Sequence, residues 1–222
     1  CTEQNFIQKS GFQKFASDHE IAVVVPDTSP RGEDIPDSSD WKLGKGAGFY
    51  LNAITTQWSK NYNMYDYICE ELIEIIRNNF NFDKSKIGIT GHSMGGCGAI
   101  QCAIKNKELF KSVSAFSPIC SLSKSSFASL AIKEYLNNNS EKINLYDPIY
   151  LIENSESVEK IKIDVGLNDE FLDDLYLNDF EKICSKNNQK LIVNKHHGYD
   201  HGYYFIQSFI KDHFEFHSSN LL

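Results

Sequence analysis

Gly91-His92-Ser93-Met94-Gly95 reads G-x-S-x-G, with an apolar run ending near Thr90 on one side and a small-residue helical run on the other. A serine on a tight strand-to-helix turn is pushed out with its hydroxyl exposed. The flanking glycines allow the chain to turn that sharply without a Cβ clash. The helix behind it aims its first N–H groups at the same point, which favours a developing negative charge. The chemistry such a serine could do is acyl transfer.

A serine hydroxyl is a weak nucleophile at neutral pH and needs an adjacent base, itself oriented by an acid. On a strand–turn–helix serine these follow in the order Ser, acid, His. Lys160–Val165 alternates as a strand and runs into Gly166-Leu167-Asn168-Asp169. Asp169 therefore falls in the loop beyond the strand's C-terminal end, where catalytic groups gather in open α/β sheets. Asp164, still inside the strand, is the second choice. Asp173 and Asp174 read as the first turn of the next helix, where carboxylates cap or oppose the dipole. Seven histidines compete for the base. His19, His213 and His217 fall in helical or terminal contexts that read as solvated faces, and His92 belongs to the turn itself. His201, at the start of the last helix, is the first choice, with His196 and His197 as alternatives.

The elements that would position these groups alternate. Ile21–Val25 is a short apolar run ending at Pro26, as in a buried parallel strand. Asp27 to Tyr50 reads as a long loop, a frequent site of function. Asn61 to Phe80 carries apolar residues at helical spacing. Lys86–Thr90 is a strand and Ser93–Lys105 a helix whose Gly96, Gly98, Ala99 and Ala103 allow close approach to a sheet. Ser112–Pro118 is a strand, and Leu122 to Tyr150 an irregular excursion. Asp173–Ser185 is helical, Lys190–Asn194 the last strand, and His201–Phe216 an amphipathic closing helix. Strands alternating with helices predict an α/β fold with a mostly parallel central sheet flanked by helices, as one domain over residues 1–222.

Composition limits the function. The chain has 222 residues, 41% hydrophobic and 13% aromatic, enough for one sizeable core. A net charge of −8 argues against a nucleic-acid partner. No run has the length of a membrane span, and no basic-then-apolar leader is present. The six cysteines lack C-x-x-C pairs and zinc-ligand spacing, which favours free thiols in a reducing compartment and no metal.

Five segments together are more specific than a fold: G-H-S-M-G-G at Gly91–Gly96, P-D-T-S-P-R-G at Pro26–Gly32, G-A-G-F-Y at Gly46–Tyr50, S-A-F-S-P-I-C at Ser114–Cys120 and G-Y-D-H-G-Y-Y-F at Gly198–Phe205. In this order, the set resembles the S-formylglutathione hydrolase (esterase D) family over essentially the whole chain. The resemblance implies an α/β-hydrolase fold and a cytoplasmic, often homodimeric enzyme with no metal or cofactor. Its substrates would be S-formylglutathione, cleaved to formate and glutathione in formaldehyde removal, and small activated esters. It places a catalytic triad on Ser93, Asp169 and His201, settling His201 over His196 and His197, and one oxyanion-hole N–H on Met94. It also matches Cys1 to a family cysteine near the active site that confers sensitivity to thiol reagents. A formyl group is tiny, so specificity would come from the glutathione part, with Trp41, Phe49, Tyr50, Lys42 and Lys45 as pocket candidates.

The chain departs from the family pattern at Cys97, where His is usual, and at Gly202, where Ser is usual. Cys97 reads as a small packed residue, with a second reactive thiol as the alternative. Family members also have about fifty or more residues before the segment matching Cys1–Phe6. These would carry the first strands and a loop giving the second oxyanion donor. With Ile21–Val25 as the fourth strand and Lys86–Thr90 as the fifth, the strand between them is expected to be missing. The alternatives to a thioester hydrolase are a general small-ester carboxylesterase and an inactive truncated fragment.

Overall fold

The computed structural model describes residues 1–221. Four parallel strands form one sheet in the order β1 (Gly88–His92), β2 (Ser112–Phe116), β3 (Ile161–Gly166) and β4 (Leu191–His196). The central strands β2 and β3 are buried along their whole length, as a sheet covered on both faces demands. On one face lie α5 (Met94–Lys105), α8 (Pro148–Asn154) and α9 (Leu177–Lys186), sharing a core with Ile161, Ile163 and Val165. The other face is covered by α10 (Tyr203–Leu221), against which the short helices α1 (Glu3–Lys9) and α2 (Gln13–Asp18) pack. Phe12, Phe116, Phe205, Ile206, Ile210 and Phe214 fill this second core.

The strands and the helix after Ser93 lie where the sequence predicts them, within one or two residues at each end. Asn61 to Phe80 contains α3 (Met64–Asp66), a π-turn at Tyr67–Glu71 and α4 (Leu72–Asn79). Three differences have physical causes. Ile21–Val25 is not a strand: it runs as irregular chain, with Val23 and Val24 exposed. No strand among the described residues lies beyond the outer edge of β1, so this segment has no ladder to join. Leu122 to Tyr150 is not irregular, because α6 (Ser129–Leu136), α7 (Ser140–Asn144) and the start of α8 lie there. These helices are too short to show a clear period, and side-chain caps from Asn139 and Asp147 define the starts of α7 and α8. His213 and His217 are not on a solvated face. They sit one turn apart on α10, and both are buried against the sheet.

The loop from Asp27 to Tyr50 has no regular structure but is pinned by side chains. Tyr135 Oη accepts from Gly44 N–H at 2.8 Å and donates to Ala47 O at 3.0 Å. Tyr62 Oη donates to Pro36 O at 2.7 Å, and Ser29 Oγ accepts from Gly46 N–H at 2.8 Å. The rings of Trp58, Tyr62 and Tyr135 pack edge and face beneath it. No helix among the described residues is long and apolar enough to cross a membrane.

Candidate active site

Ser93 sits between β1 and α5 with φ 56° and ψ −115°, a conformation L-residues rarely adopt. Its neighbours fix it there. Ser93 N–H donates to Phe116 O at 2.9 Å, and Ser93 O accepts from Cys97 N–H at 3.0 Å and Ile119 N–H at 3.3 Å. Gly91 is required for the turn, because a Cβ there would overlap the Gly95 carbonyl. At Gly95 the contact is ordinary: beyond its own helix, a Cβ would meet only Tyr50, at 3.9 Å. Gly96 lets α5 pass close to Pro118, with a Cβ coming 2.9 Å from the proline ring. Met94 is the first residue of α5, so its N–H has no acceptor within the helix.

Asp169 and His201 come together from two loops at the C-terminal ends of β3 and β4. His201 Nδ1 lies 2.6 Å from Asp169 Oδ2, while Asp169 Oδ1 accepts from Phe171 N–H at 2.8 Å. Burial alone would raise the Asp169 pKa. The hydrogen bond and charge of His201, with the Phe171 N–H, outweigh it and hold the carboxyl below its ordinary value. Gly166 allows the two loops to touch, since a Cβ would strike the Tyr199 carbonyl. His92 packs its ring 4.5 Å from that of His201. Burial, then the charge of His201, pulls the His92 pKa down to about 3, so it stays neutral. Ser93 and His201 line the same cleft, of about 420 Å³, and no hydrogen bond joins their side chains.

The cleft also takes in Cys1, Trp41, Lys45 and Tyr50, and it extends from Ser93 along the outer edge of β1 toward Val23–Pro26. Cys1 is exposed at its mouth; its carbonyl accepts from Thr28 Oγ1 at 2.8 Å and Arg31 Nη2 at 2.6 Å. Phe49 is not in the cleft: it is 1% exposed and belongs to the core. Lys42 does not line the cleft either. Two aromatics that the sequence did not single out complete the wall. Phe127 meets Trp41 edge-on at 5.0 Å, and Phe171 lies 5.0 Å from His201. Asp174 sets Phe127 rather than capping its own helix, accepting from Ser125 Oγ, Ser126 N–H and Phe127 N–H at 2.6, 2.8 and 3.0 Å. Phe171 follows Asp169 by two residues and could have been found from that spacing; Phe127 carried no signal.

The remaining candidates lie elsewhere. Asp164 faces away from the cleft, at 2.8 Å from His213 Nε2 and Lys162 Nζ and 2.7 Å from His196 Nε2. His196 is the last residue of β4, stacked on Phe209 at 3.6 Å, and His197 is exposed. Cys97 is fully buried, and that burial pushes its thiol well above the ordinary value, as suits a packed side chain. No group of three or more His, Cys, Asp or Glu among the described residues is arranged to hold a metal.

The Esterase family model matches residues 1–216. An S-formylglutathione hydrolase from Agrobacterium tumefaciens is 42% identical, with a TM-score of 0.98 over 100% of this chain and 81% of that one. A fluorophosphonate-binding serine hydrolase from Staphylococcus aureus shares the fold at 22% identity and TM-score 0.76, over 98% of this chain and 79% of that one. A ferulic acid esterase does so at 13% identity and TM-score 0.73, over 100% and 82%. The four-stranded parallel sheet, the strained turn before α5 and these matches together place the chain in the esterase family of α/β-hydrolases, among the S-formylglutathione hydrolases.

Proposed function

We propose that this protein hydrolyses S-formylglutathione to glutathione and formate through Ser93, His201 and Asp169. The observation that carries the reading is a strained serine at the N-terminus of α5, sharing one cleft with a histidine held at 2.6 Å by a buried carboxylate. Ser93 Oγ attacks the thioester carbonyl carbon as His201 Nε2 takes its proton. Asp169 holds Nδ1 protonated and stabilises the imidazolium that forms. The free Met94 N–H donates to the carbonyl oxygen as it gains negative charge. The C–S bond then breaks, His201 returns the proton to the glutathione sulfur, and water releases formate from formyl-Ser93 by the same path in reverse.

The leaving group carries two carboxylates. Lys45 is the one lysine or arginine lining the cleft among the described residues, and its Nζ is 4.0 Å from Asp37, beyond hydrogen-bond distance. Trp41, 69% exposed beside Phe127, offers an apolar face for the rest of the tripeptide. The test is kcat/KM for S-formylglutathione against p-nitrophenyl acetate. A ratio well above one supports a thioesterase with a glutathione site. A ratio below one points instead to a general small-ester carboxylesterase with the same three residues.

A further inference from the structure

Among the described residues, nine other than glycine have positive φ. Five of them, Glu20, Asn137, Asn138, Tyr176 and Asn188, follow helical turns, where a left-handed residue ends the helix. Of the other four, Ser93 and Tyr50 (52°) line the cleft, Phe49 (51°) precedes Tyr50 and is buried in the core, and Ser117 is buried after β2. Two bulky aromatic residues in succession in this region are strained, so the surrounding structure must over-determine them.

Gln101 supplies that constraint. It is fully buried on α5, two turns beyond Ser93, and its Nε2 donates to Tyr50 O at 2.6 Å and Phe49 O at 3.4 Å. The Tyr50 ring then lies along α5. A Cβ at Gly98 would come 2.5 Å from Cδ2, and one at Gly95 would stand 3.9 Å from Oη. Gly95 and Gly98 share a helix face. Gly98 leaves the notch for the ring, and the phenol oxygen reaches the level of Gly95, toward the N-terminal end of α5 where Ser93 sits. Tyr50 lines the cleft, and its hydroxyl, near Gly95, has no hydrogen-bond partner among the described residues. Burial raises its pKa, so the group remains a proton donor at neutral pH.

We infer that Tyr50 is a substrate-binding residue, its phenol donating a hydrogen bond to an acceptor oxygen of the acyl substrate held at Ser93. The inference rests on Ser93 being the nucleophile. It accounts for the glycine at position 98, the buried amide at position 101 and the strained pair as one device. Tyr50→Phe keeps the ring in its notch and removes only the donor.

The experiment compares wild type, Tyr50→Phe and Ser93→Ala on p-nitrophenyl acetate, with melting temperatures measured alongside. Tyr50→Phe is expected to lower kcat/KM five- to twentyfold with its melting temperature unchanged. A change of less than twofold overturns the role of Tyr50. A loss that tracks a fall in melting temperature, and disappears on assay at low temperature, assigns Tyr50 to packing and overturns it too. Turnover that survives Ser93→Ala overturns the underlying reading of the site instead.

Discussion

The molecule contains two serine–histidine–aspartate arrays, and only one of them opens on the cleft. At Ser93 the hydroxyl sits on a strained turn, and His201 keeps 13% of its side chain exposed beside a buried Asp169. Beneath the sheet, Ser114 Oγ is 2.8 Å from His213 Nδ1, and His213 Nε2 is 2.8 Å from Asp164. That second set has the same residue types and, unlike the first, a closed serine–histidine bond, while its histidine is 1% exposed and stacked on Phe116 at 3.7 Å. Ser114 also bonds Thr90 Oγ1 and His217 Nε2, and His217 Nδ1 in turn contacts Ser112 Oγ. Every partner there is occupied, so the array fastens α10 to β2 and β3. What separates chemistry from structure here is access and an unspent hydroxyl, not the identity of the side chains.

The comparison breaks most directly by mutating corresponding members. Ser93→Ala is expected to lower turnover about 10⁴-fold or more, and Asp169→Asn about 10⁴-fold, with little change in melting temperature. Ser114→Ala should leave kcat within a few-fold. Asp164→Asn should instead destabilise the fold by about 3–5 kcal/mol, because it leaves Lys162 without its buried carboxylate. Urea unfolding and steady-state kinetics on the four variants separate the arrays. If Asp164→Asn lost activity while keeping its stability, the two roles would be reversed.

Acid sharpens the contrast through stability. Burial pulls His217 down to about 3, and His213 is also lowered, by burial outweighing its bond to Asp164. Unfolded histidines bind protons near pH 6.5. Between that pH and the folded values the unfolded state therefore holds more protons, and stability falls as pH falls. Each such histidine contributes about 1.4 kcal/mol per pH unit in that window. Asp164, held well below the carboxylate range by His213, Lys162 and His196 against the effect of burial, adds a further loss below its unfolded value of 3.8. Unfolding free energies at pH 7, 6 and 5 should show this slope, and His217→Gln should reduce it by about one proton. An unchanged slope would mean that His217 is not buried as a neutral group.

The smallest expected effect lies at the cleft mouth. Lys45→Gln should lower kcat/KM for S-formylglutathione about three- to tenfold at low salt and leave p-nitrophenyl acetate unchanged. Equal effects on both substrates would remove Lys45 from leaving-group recognition.

The open array was the more legible of the two in the sequence. Glycines around Ser93, a strand running into Asp169 and a histidine opening the last helix are local patterns, and the chain keeps them local. The sealed array was hidden because its logic is tertiary. His213 and His217 fall at helical spacing inside the stripe that Phe205, Phe209, Ile210 and Phe214 set on α10, but a histidine there reads as polar because its partners lie far away in the sequence. In the fold that stripe faces the sheet, where Ser112, Ser114 and Asp164 satisfy the two rings. Phe49 misled in the opposite sense: an aromatic in a long loop reads as pocket wall, whereas its left-handed backbone turns the ring into the core. Ile21–Val25 is apolar enough for a strand, but pairing depends on a neighbour that no local pattern reports.

The most direct test of the account is reaction of the protein with a fluorophosphonate, followed by peptide mapping of the adduct. The account predicts one adduct per chain, on Ser93, absent in Ser93→Ala and strongly slowed in His201→Ala, with Ser114 unlabelled throughout. An adduct on any other residue, or equal labelling of Ser93→Ala, would contradict it.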